Sequence, residues 1–213
     1  MNKTFDEKIL FDFDEQKRKI YGIIVGSDEA GRGPLAGPVV AAAIILSGRE
    51  NLPQLNDSKK LNEETRERLF GEICNQAAAL SVFCVSHKEI DEKNILNASL
   101  FAMYKCLSSL KMKWNCALID GNKFVPQIDK KFQETIVKGD AKSASIAAAS
   151  IAAKVVRDRI MKNYNKKYPE YNFAKHKGYP TKEHYEAIKK FGISPIHRLS
   201  FCKNIGIEQI KMF

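Results

Sequence analysis

YGIIVGSDEAGRGPLAGPVVAAAIIL (residues 21–46) is the part of the chain from which the fold can first be predicted. A short apolar run ends in two adjacent carboxylates, Asp28 and Glu29, and a second apolar run follows a glycine-rich turn. This order predicts two paired strands with a tight turn between them. The turn leaves backbone amides uncovered beside negative charge, because glycine has no side chain to shield them.

The rest of the chain alternates predicted strands with predicted helices. Strands are predicted at residues 79–86, 115–120 and 134–137. Helices are predicted to begin at or near Asn62, Asn94, Ser143 and Thr181. This alternation predicts an α/β sheet flanked by helices. Residues 1–20 are expected to form a short extension, a strand or turn added to the fold, and the absence of repeats and linkers predicts one domain over residues 1–213.

Composition is that of an ordinary globular protein. Of 213 residues, 44% are hydrophobic and 28% are charged, which is enough for one well-buried core. We expect no membrane segment, since no apolar run approaches the roughly 20 residues that a spanning helix needs. The first residues contain no continuous apolar region, so we expect no secretory signal. The five cysteines have no CxxC spacing, which predicts reduced, mostly buried thiols in a cytoplasmic protein.

The positive charge is concentrated near the end of the chain. The net charge is +10, and residues 154–203 carry 13 Lys and Arg against four Asp and Glu, together with eight aromatic residues. Basic side chains release counterions from a polyanion, and aromatic faces stack on bases and sugars. We therefore predict that this part, a basic helical region from about residue 160, contacts nucleic acid. A solvated basic helix face is the alternative.

Acidic residues come at the ends of predicted strands. They are Asp28, Glu29, Asp120 and Asp140. Crowded carboxylates raise one another's pKa, and a divalent cation removes that cost. Mg²⁺ and Mn²⁺ prefer oxygen ligands, and two such ions promote phosphodiester hydrolysis by activating water and stabilising the leaving oxygen. The pattern predicts a two-ion site, although any one of these acids by itself would be an ordinary surface residue.

One geometric condition applies to the adjacent pair. Successive side chains of a strand point to opposite faces, so Asp28 and Glu29 can share a site only if the chain bends there. Gly31 and Gly33 favour such a bend.

The chain resembles the ribonuclease HII family, the type 2 ribonucleases H, from about Gly22 to Phe201. The matching segments are GSDEAGRGPLAGPVV, LNDSKKL, LIDGN, IVKGDAKSASIAAASIAAKVVRDR, HKGYPT and HRLSF. The resemblance implies a ribonuclease H-like fold, with a mixed central sheet flanked by helices and a helical C-terminal extension against the substrate.

The resemblance also implies an activity. It is that of a metal-dependent endonuclease, a hydrolase that cuts the RNA strand of RNA–DNA hybrids and incises 5′ to ribonucleotides embedded in duplex DNA. The products carry 3′-hydroxyl and 5′-phosphate ends, and the cofactor is Mn²⁺ or Mg²⁺ at a two-ion site. We expect a cytoplasmic monomer whose partners are RNA–DNA hybrids and ribonucleotide-containing duplex DNA.

The resemblance assigns roles to particular positions of this chain. The metal-binding and catalytic acids correspond to Asp28, Glu29, Asp120 and Asp140. The turn that recognises the ribose 2′-hydroxyl corresponds to Gly31, Arg32 and Gly33. The tyrosine that stacks on the sugar corresponds to Tyr179. A substrate-contacting loop corresponds to Ser58, Lys59 and Lys60. Further contacts with the nucleic acid backbone are expected from Lys142 and Ser143.

Two alternative functions are considered. Ribonuclease HIII shares the fold but adds a sizeable N-terminal domain, whereas about 20 residues precede the first predicted strand here. A non-catalytic basic nucleic-acid-binding module, with structural acids only, would bind without metal and without cleavage. We assign no metal-binding role to the four histidines, which lack ligand spacing, or to Asp158, which is expected to pair with a neighbouring charge. QIKMF near the end is too loose a motif to predict a replication-clamp partner.

Overall fold

A central sheet of five strands organises the computed structural model, which describes residues 5–48 and 50–203. The strands are β1 (Ile24–Ala30), β2 (Val39–Ile45), β3 (Ala79–Val85), β4 (Cys116–Asp120) and β5 (Gln133–Ile136). The helices are α1 (Phe5–Tyr21), α2 (Glu63–Gln76), α3 (His87–Lys93), α4 (Ile95–Ser109), α5 (Ala144–Lys167), α6 (Phe173–His176), α7 (Lys182–Phe191) and α8 (Leu199–Cys202). Short 3₁₀ turns lie at Lys130–Phe132, Gly139–Ala141 and Pro169–Tyr171.

The sheet is mixed, with strand order β3-β2-β1-β4-β5. The first three strands pair antiparallel, while β4 runs parallel to both β1 and β5. In the β1–β4 register Ser27 lies opposite Ile119, so Asp28 and Asp120 reach the same edge of the sheet. The topology confirms the predicted mixed sheet and brings the strand-end acids to one place.

Side-chain caps set the predicted helix starts. Asn62 accepts a hydrogen bond from the Thr65 amide at the start of α2, and Thr181 caps α7 in the same way. Ser143 caps α5 through the amide of Ile146. Such caps satisfy amides that have no partner within the first turn of a helix. These three predictions from sequence are confirmed.

Helix α5 packs directly on the backbone of β1. A methyl group added at Gly26 would lie 2.2 Å from the carbonyl carbon of Ser145, so only glycine permits this approach. Alanines of α5 form one core cluster with β2, α1 and α2, and α3 and α4 cover the opposite face of the sheet. A third cluster lies in the C-terminal part, where Met161 packs with Phe173 and Ile188.

Two expectations differ from the structure. The N-terminal extension is a helix, α1, and not a strand or turn, because Leu10 and Phe13 find apolar partners on the body of the fold. Cys74 and Cys84 are exposed, so only three of the five cysteines are buried. The QIKMF segment lies outside the described residues.

Crossing a lipid bilayer takes a long, apolar helix, and the helices found within residues 5–48 and 50–203 include none of that kind.

The α5–β1 contact predicts opposite effects for two glycine-to-alanine substitutions. Gly26→Ala should destabilise the protein by about 1–3 kcal/mol, because the new methyl group overpacks against backbone atoms. Gly71→Ala, at an exposed and open position of α2, should stabilise it by about 0.5–1 kcal/mol. Urea unfolding of both variants measures the two changes in the free energy of unfolding. Equal stabilities would show that α5 is not held this closely.

Candidate active site

The four predicted acids come together at the edge of the sheet where β1 and β4 end. Asp28 and Glu29 lie within β1, which continues to Ala30, and Asp120 is the last residue of β4. Asp140 lies in the 3₁₀ turn that follows β5. The amide of Gly139 donates a hydrogen bond of 2.7 Å to Asp120 Oδ1, and this bond joins the turn to the end of β4.

Strand β1 does not end at the acidic pair. Both acids belong to the regular strand, and the glycines come only after its last residue. The two carboxylates nevertheless influence each other, and the charge of Asp120 acts on both. The bend that was expected at the pair is therefore absent, since pairing with β2 continues through Asp28 and Glu29 to Ala30. Binding of one metal site by both carboxylates stays a prediction.

Burial and mutual repulsion raise the pKa values of three of these carboxyl groups. Desolvation raises the pKa of Asp28 well above its usual range, and the charges of Glu29 and Asp120 add to this effect. Burial also raises the pKa of Glu29, against the lowering effect of Arg32. Burial raises the pKa of Asp120, and the charge of Asp140 raises it further. The edge therefore holds carboxylates whose ionisation is costly without a cation.

Two exposed basic side chains reach this acidic edge. Lys59 Nζ lies 3.3 Å from Asp140 Oδ2, and its side chain is 80% exposed. Arg32 Nη1 lies 3.4 Å from Glu29 Oε1 and is also exposed. Exposed ion pairs of this kind contribute little stability, so both side chains are free to exchange partners.

The donor set fits a hard divalent cation. Four carboxylates offer oxygen ligands only, which are the ligands that Mg²⁺ and Mn²⁺ prefer. Within residues 5–48 and 50–203, no three His, Cys, Asp or Glu side chains already converge tightly enough to hold an ion. The acids that would hold it are Asp28, Glu29, Asp120 and Asp140. Their side chains have to rotate toward one another to do so.

The glycine turn is held from beneath by two buried arginines. Gly31 has a φ of +100°, and a methyl group there would lie 2.2 Å from Arg157 Nε. Arg157 donates to the carbonyl oxygens of Ala36 and Pro38 at 3.2 and 3.0 Å. Arg198 donates to the carbonyl oxygen of Gly31 at 2.7 Å. The turn is thus attached by its own backbone to α5 and to the C-terminal part.

Tyr179 stands over this turn. Its side chain is 39% exposed, and its ring lies 5.7 Å from the Arg157 guanidinium carbon. A methyl group added at Gly33 would come within 3.7 Å of the ring. The preceding Gly178 accepts a 2.8 Å bond from the amide of Leu35, which fixes the tyrosine loop to the turn. The structure brings together the two elements to which sugar recognition was assigned.

The predicted serine contacts point inward. Ser58 Oγ and Ser150 Oγ lie 2.9 Å apart, and Ser150 in turn donates to Asp28. Ser143 is fully buried, and its hydroxyl donates to Asp14. Both hydroxyl groups support the site from inside, and contact of Ser58 or Ser143 with substrate stays a prediction.

The predicted lysine contacts are on the surface. Lys60 is exposed and lines a small cleft with Ile9 and Ala141, while Lys142 is exposed beside the turn that carries Asp140. Both are accessible to a polyanion.

Three of the 13 basic residues in the C-terminal segment are buried. They are Arg157, Lys177 and Arg198. Burial removes them from the surface that was predicted to contact nucleic acid. The remaining lysines and arginines include eight that are exposed, on α5, α7 and the segments around them.

Sequence reasoning missed Arg157 and Arg198 as parts of the site. Arg157 follows Ala149 and Ala153 at a spacing of four along the buried face of α5. That spacing was the signal in the sequence that Arg157 is buried. For Asp158 the expected pairing is confirmed, since Lys154 Nζ lies 2.7 Å from its carboxylate.

The C-terminal histidines form a buried cluster. His184 Nε2 lies 3.0 Å from His197 Nε2, and the rings of His176 and His184 stack at 4.4 Å. Burial lowers the pKa of His184 to about 4 and that of His197 to about 3. These neutral rings support the Tyr179 loop, whose carbonyl oxygen bonds to His184, and they do not line the acidic edge.

Solved structures with this fold define a class. The ribonuclease H2 of Pyrococcus horikoshii OT3 is 29% identical with a TM-score of 0.67, covering 86% of this chain and 96% of that one. The RNase HII of Archaeoglobus fulgidus, solved in complex with PCNA, is 26% identical with a TM-score of 0.72, covering 88% and 98%. Bst-RNase HIII in complex with Mn²⁺ is 18% identical, with a TM-score of 0.60, and shares the fold alone. The protein is a ribonuclease H-like nuclease.

Sequence comparison defines the family within that class. The family model for ribonuclease HII matches residues 25–204. The ribonuclease HII of Acetivibrio thermocellus is 56% identical over 190 residues, which is 89% of this chain and 73% of that protein. The ribonuclease HII of Endomicrobium trichonymphae is 54% identical over 205 residues, covering 95% and 97%. The chain belongs to the ribonuclease HII family and is an endonuclease, which argues against the non-catalytic alternative.

The raised pKa of Asp28 predicts that neutralising it stabilises the metal-free protein. The pKa of the Asp28 carboxyl group is higher in the folded than in the unfolded protein. Its contribution to stability is therefore fully present below the unfolded-state pKa and is lost as the pH rises through the folded-state pKa. At neutral pH in EDTA, Asp28→Asn should therefore melt at a higher temperature than wild type. The gain should be about 2–4 °C for each kcal/mol in a domain of this size.

The control for this prediction is Asp129→Asn. Asp129 is exposed, and hydrogen bonds from Lys131 lower its pKa, so its neutralisation should give no gain. The difference between Asp28→Asn and wild type should shrink as pH falls, because wild-type Asp28 then becomes protonated. A lower melting temperature for Asp28→Asn in EDTA would contradict the electrostatic description of the site.

Proposed function

We propose that this protein cuts the RNA strand of RNA–DNA hybrids and incises duplex DNA on the 5′ side of embedded ribonucleotides, by a two-metal-ion mechanism that leaves 3′-hydroxyl and 5′-phosphate ends. Membership of the ribonuclease HII family supports ribonuclease H activity on hybrids. The observation that carries the finer proposal is that four carboxylates come together beside a glycine turn that lies close to the exposed ring of Tyr179.

The acidic edge supplies the ligands for this chemistry. Asp28, Glu29, Asp120 and Asp140 would hold Mn²⁺ or Mg²⁺. Bound divalent ions supply activation of water and neutralisation of developing charge in phosphodiester hydrolysis. The burial that raises the pKa of Asp28 makes its charged form depend on a nearby cation. Lys59 and Arg32, exposed beside the acids, are suited to contact the phosphates that flank the cut bond.

The turn and the tyrosine supply ribonucleotide selection. The backbone groups of Gly31, Arg32 and Gly33 would read the 2′-hydroxyl of a sugar, since two of these three residues have no side chain to keep a ligand away from the backbone. The 2′-hydroxyl distinguishes RNA from DNA at a given nucleotide. The exposed ring of Tyr179 lies next to Gly33 and offers a stacking surface for the sugar.

Loss of Asp120 tests the catalytic assignment. Asp120→Asn should lower the cleavage rate of a duplex with one embedded ribonucleotide by at least about a hundredfold, because outer-sphere changes alone typically cost 10–100-fold and this change removes a proposed ligand. The amide still accepts the bond from Gly139 through its oxygen, so the turn remains attached. The rate is measured by single-turnover gel assay with Mn²⁺ or Mg²⁺, and with EDTA.

Three readouts complete that experiment. Circular dichroism verifies that Asp120→Asn is folded, and a gel-shift assay verifies that it still binds the duplex. Cleavage by wild type should stop in EDTA. Cleavage by Asp120→Asn at the wild-type rate would refute the mechanism, and metal-independent binding without any cleavage by wild type would favour the binding-module alternative.

Gly33→Ala tests the proposed sugar recognition by the glycine turn and Tyr179. The methyl group makes an ordinary 3.7 Å contact with Tyr179, so the protein should fold with unchanged stability. The same methyl group stands where a ribose would approach the backbone, so we expect a loss of about tenfold or more in kcat/KM on the single-ribonucleotide duplex, equivalent to about 1.4 kcal/mol or more. Kinetics on that substrate and on a long hybrid measure the effect.

The matched control is Gly31→Ala. It combines a φ of +100° with a methyl group 2.2 Å from Arg157, so it should unfold at lower temperature as well as lose activity. Full activity of Gly33→Ala would show that no sugar approaches this turn. Incision of an all-DNA duplex by wild type at the same rate would equally refute 2′-hydroxyl recognition.

A further inference from the structure

Helix α1 brings a buried carboxylate to the start of α5. Asp14 is 0% exposed and accepts three hydrogen bonds there. They come from Ser143 Oγ at 2.6 Å, from the Ser145 amide at 2.8 Å and from Ser145 Oγ at 2.7 Å. Asp14 therefore binds the N-terminal turn of the 24-residue helix that follows the segment carrying Asp140.

The same hydrogen-bonded chain continues to the acidic edge. The amide of Ser143 donates to the Gly139 carbonyl oxygen at 2.8 Å, closing the turn that contains Asp140. The amide of Gly139 donates to Asp120 at 2.7 Å. Asp140 thus lies three positions before Ser143 in the chain, and two hydrogen bonds connect Ser143 to Asp120.

A carboxylate at this position has a specific physical role. The first amides of a helix lack partners within the helix, and its N-terminus carries partial positive charge, so both favour a buried anion. Oδ1 of Asp14 accepts from the hydroxyl of Ser143, and Oδ2 accepts from both the amide and the hydroxyl of Ser145. An asparagine removes the negative charge and replaces one acceptor oxygen by a donor, so the hydrogen bond on that side is lost or has to reverse its direction.

Other contacts hold α1 in place independently of Asp14. Lys17 Nζ lies 2.5 Å from Glu134 Oε1 on β5, and Tyr21 donates to the second oxygen of Glu134 at 3.2 Å. Leu10 and Phe13 pack into the core. Substitution of Asp14 should therefore leave the helix docked and the protein folded.

We propose that Asp14 is a positioning residue for catalysis, which acts by fixing the turn that carries Asp140 relative to Asp120. Helix α1 then supports the active site through the hydrogen bonds of Asp14. This inference rests on the proposed role of the four acids in cleavage.

The test compares the same substitution at two positions of one helix. Asp14→Asn should lower kcat on the single-ribonucleotide duplex by about tenfold, the lower end of what loss of a supporting partner costs, with little change in KM. Asp12→Asn, on the exposed side of α1, should leave both constants unchanged. Amide hydrogen exchange of residues 139–145 should be faster in Asp14→Asn and unchanged in Asp12→Asn.

A double-mutant cycle tests whether Asp14 acts through its hydrogen bonds with Ser145. Ser145→Ala removes one donor to Asp14 and should lower kcat by a smaller factor in the same direction. Combined with Asp14→Asn, it should add less than its separate effect, because both changes break the same contact. If Asp14→Asn fails to fold, Ser145→Ala alone must still show a lower kcat and faster exchange at residues 139–145.

The outcomes separate this inference from the proposed function. An unchanged kcat for Asp14→Asn, or a reduced kcat without faster exchange at residues 139–145, overturns the positioning role while leaving the four acids as proposed. Wild-type cleavage by Asp120→Asn would instead overturn the proposed function itself. Lower kcat together with faster local exchange in Asp14→Asn supports the inference.

Discussion

The close packing of helix α5 on strand β1 is the constraint on which the rest of the structure depends. Backbone meets backbone at Gly26, and the small residues of α5 extend that contact along the sheet. One rigid helix then serves three parts of the site. The segment carrying Asp140 leads into its first turn, Ser150 in its second turn donates to Asp28, and Arg157 near its middle holds the glycine turn. The relative positions of acids and turn follow from a single element.

The glycine turn shows how a loop is made rigid without being covered. Buried arginines normally pair with carboxylates. Arg157 and Arg198 instead donate hydrogen bonds to backbone carbonyl oxygens of residues 31–38 and to that of Lys177. Burial, with the neighbouring charge of Arg157, lowers the pKa of Arg198 to about 9. Gly31 is buried by these contacts, whereas Arg32 and Gly33 stay exposed beside Tyr179. A preorganised backbone surface of this kind would bind a ligand at low entropic cost.

The buried acids at this edge of the sheet lower the stability of the metal-free protein. Buried carboxylates at the ends of β1 and β4 raise one another's pKa, so the metal-free protein carries a repulsion that neutral residues would avoid. Supporting contacts offset it locally: the Gly139 amide binds Asp120, and Lys59 pairs with Asp140. Functional sites commonly contain residues that lower the stability of the fold in this way, while the residues of the surrounding scaffold favour the folded structure.

The sequence by itself determined the alternating strands and helices, the cap at Asn62 and the helix starts near Ser143 and Thr181, because these depend on periodicity and neighbouring residues. Only the tertiary structure decided what depends on distant parts of the chain. Helix α1 gained a role because its carboxylate at Asp14 meets a helix start about 130 residues later. Arg157 became internal because the turn offers carbonyl oxygens to it. Burial and partner choice are properties of the packed fold, and residue type alone does not contain them.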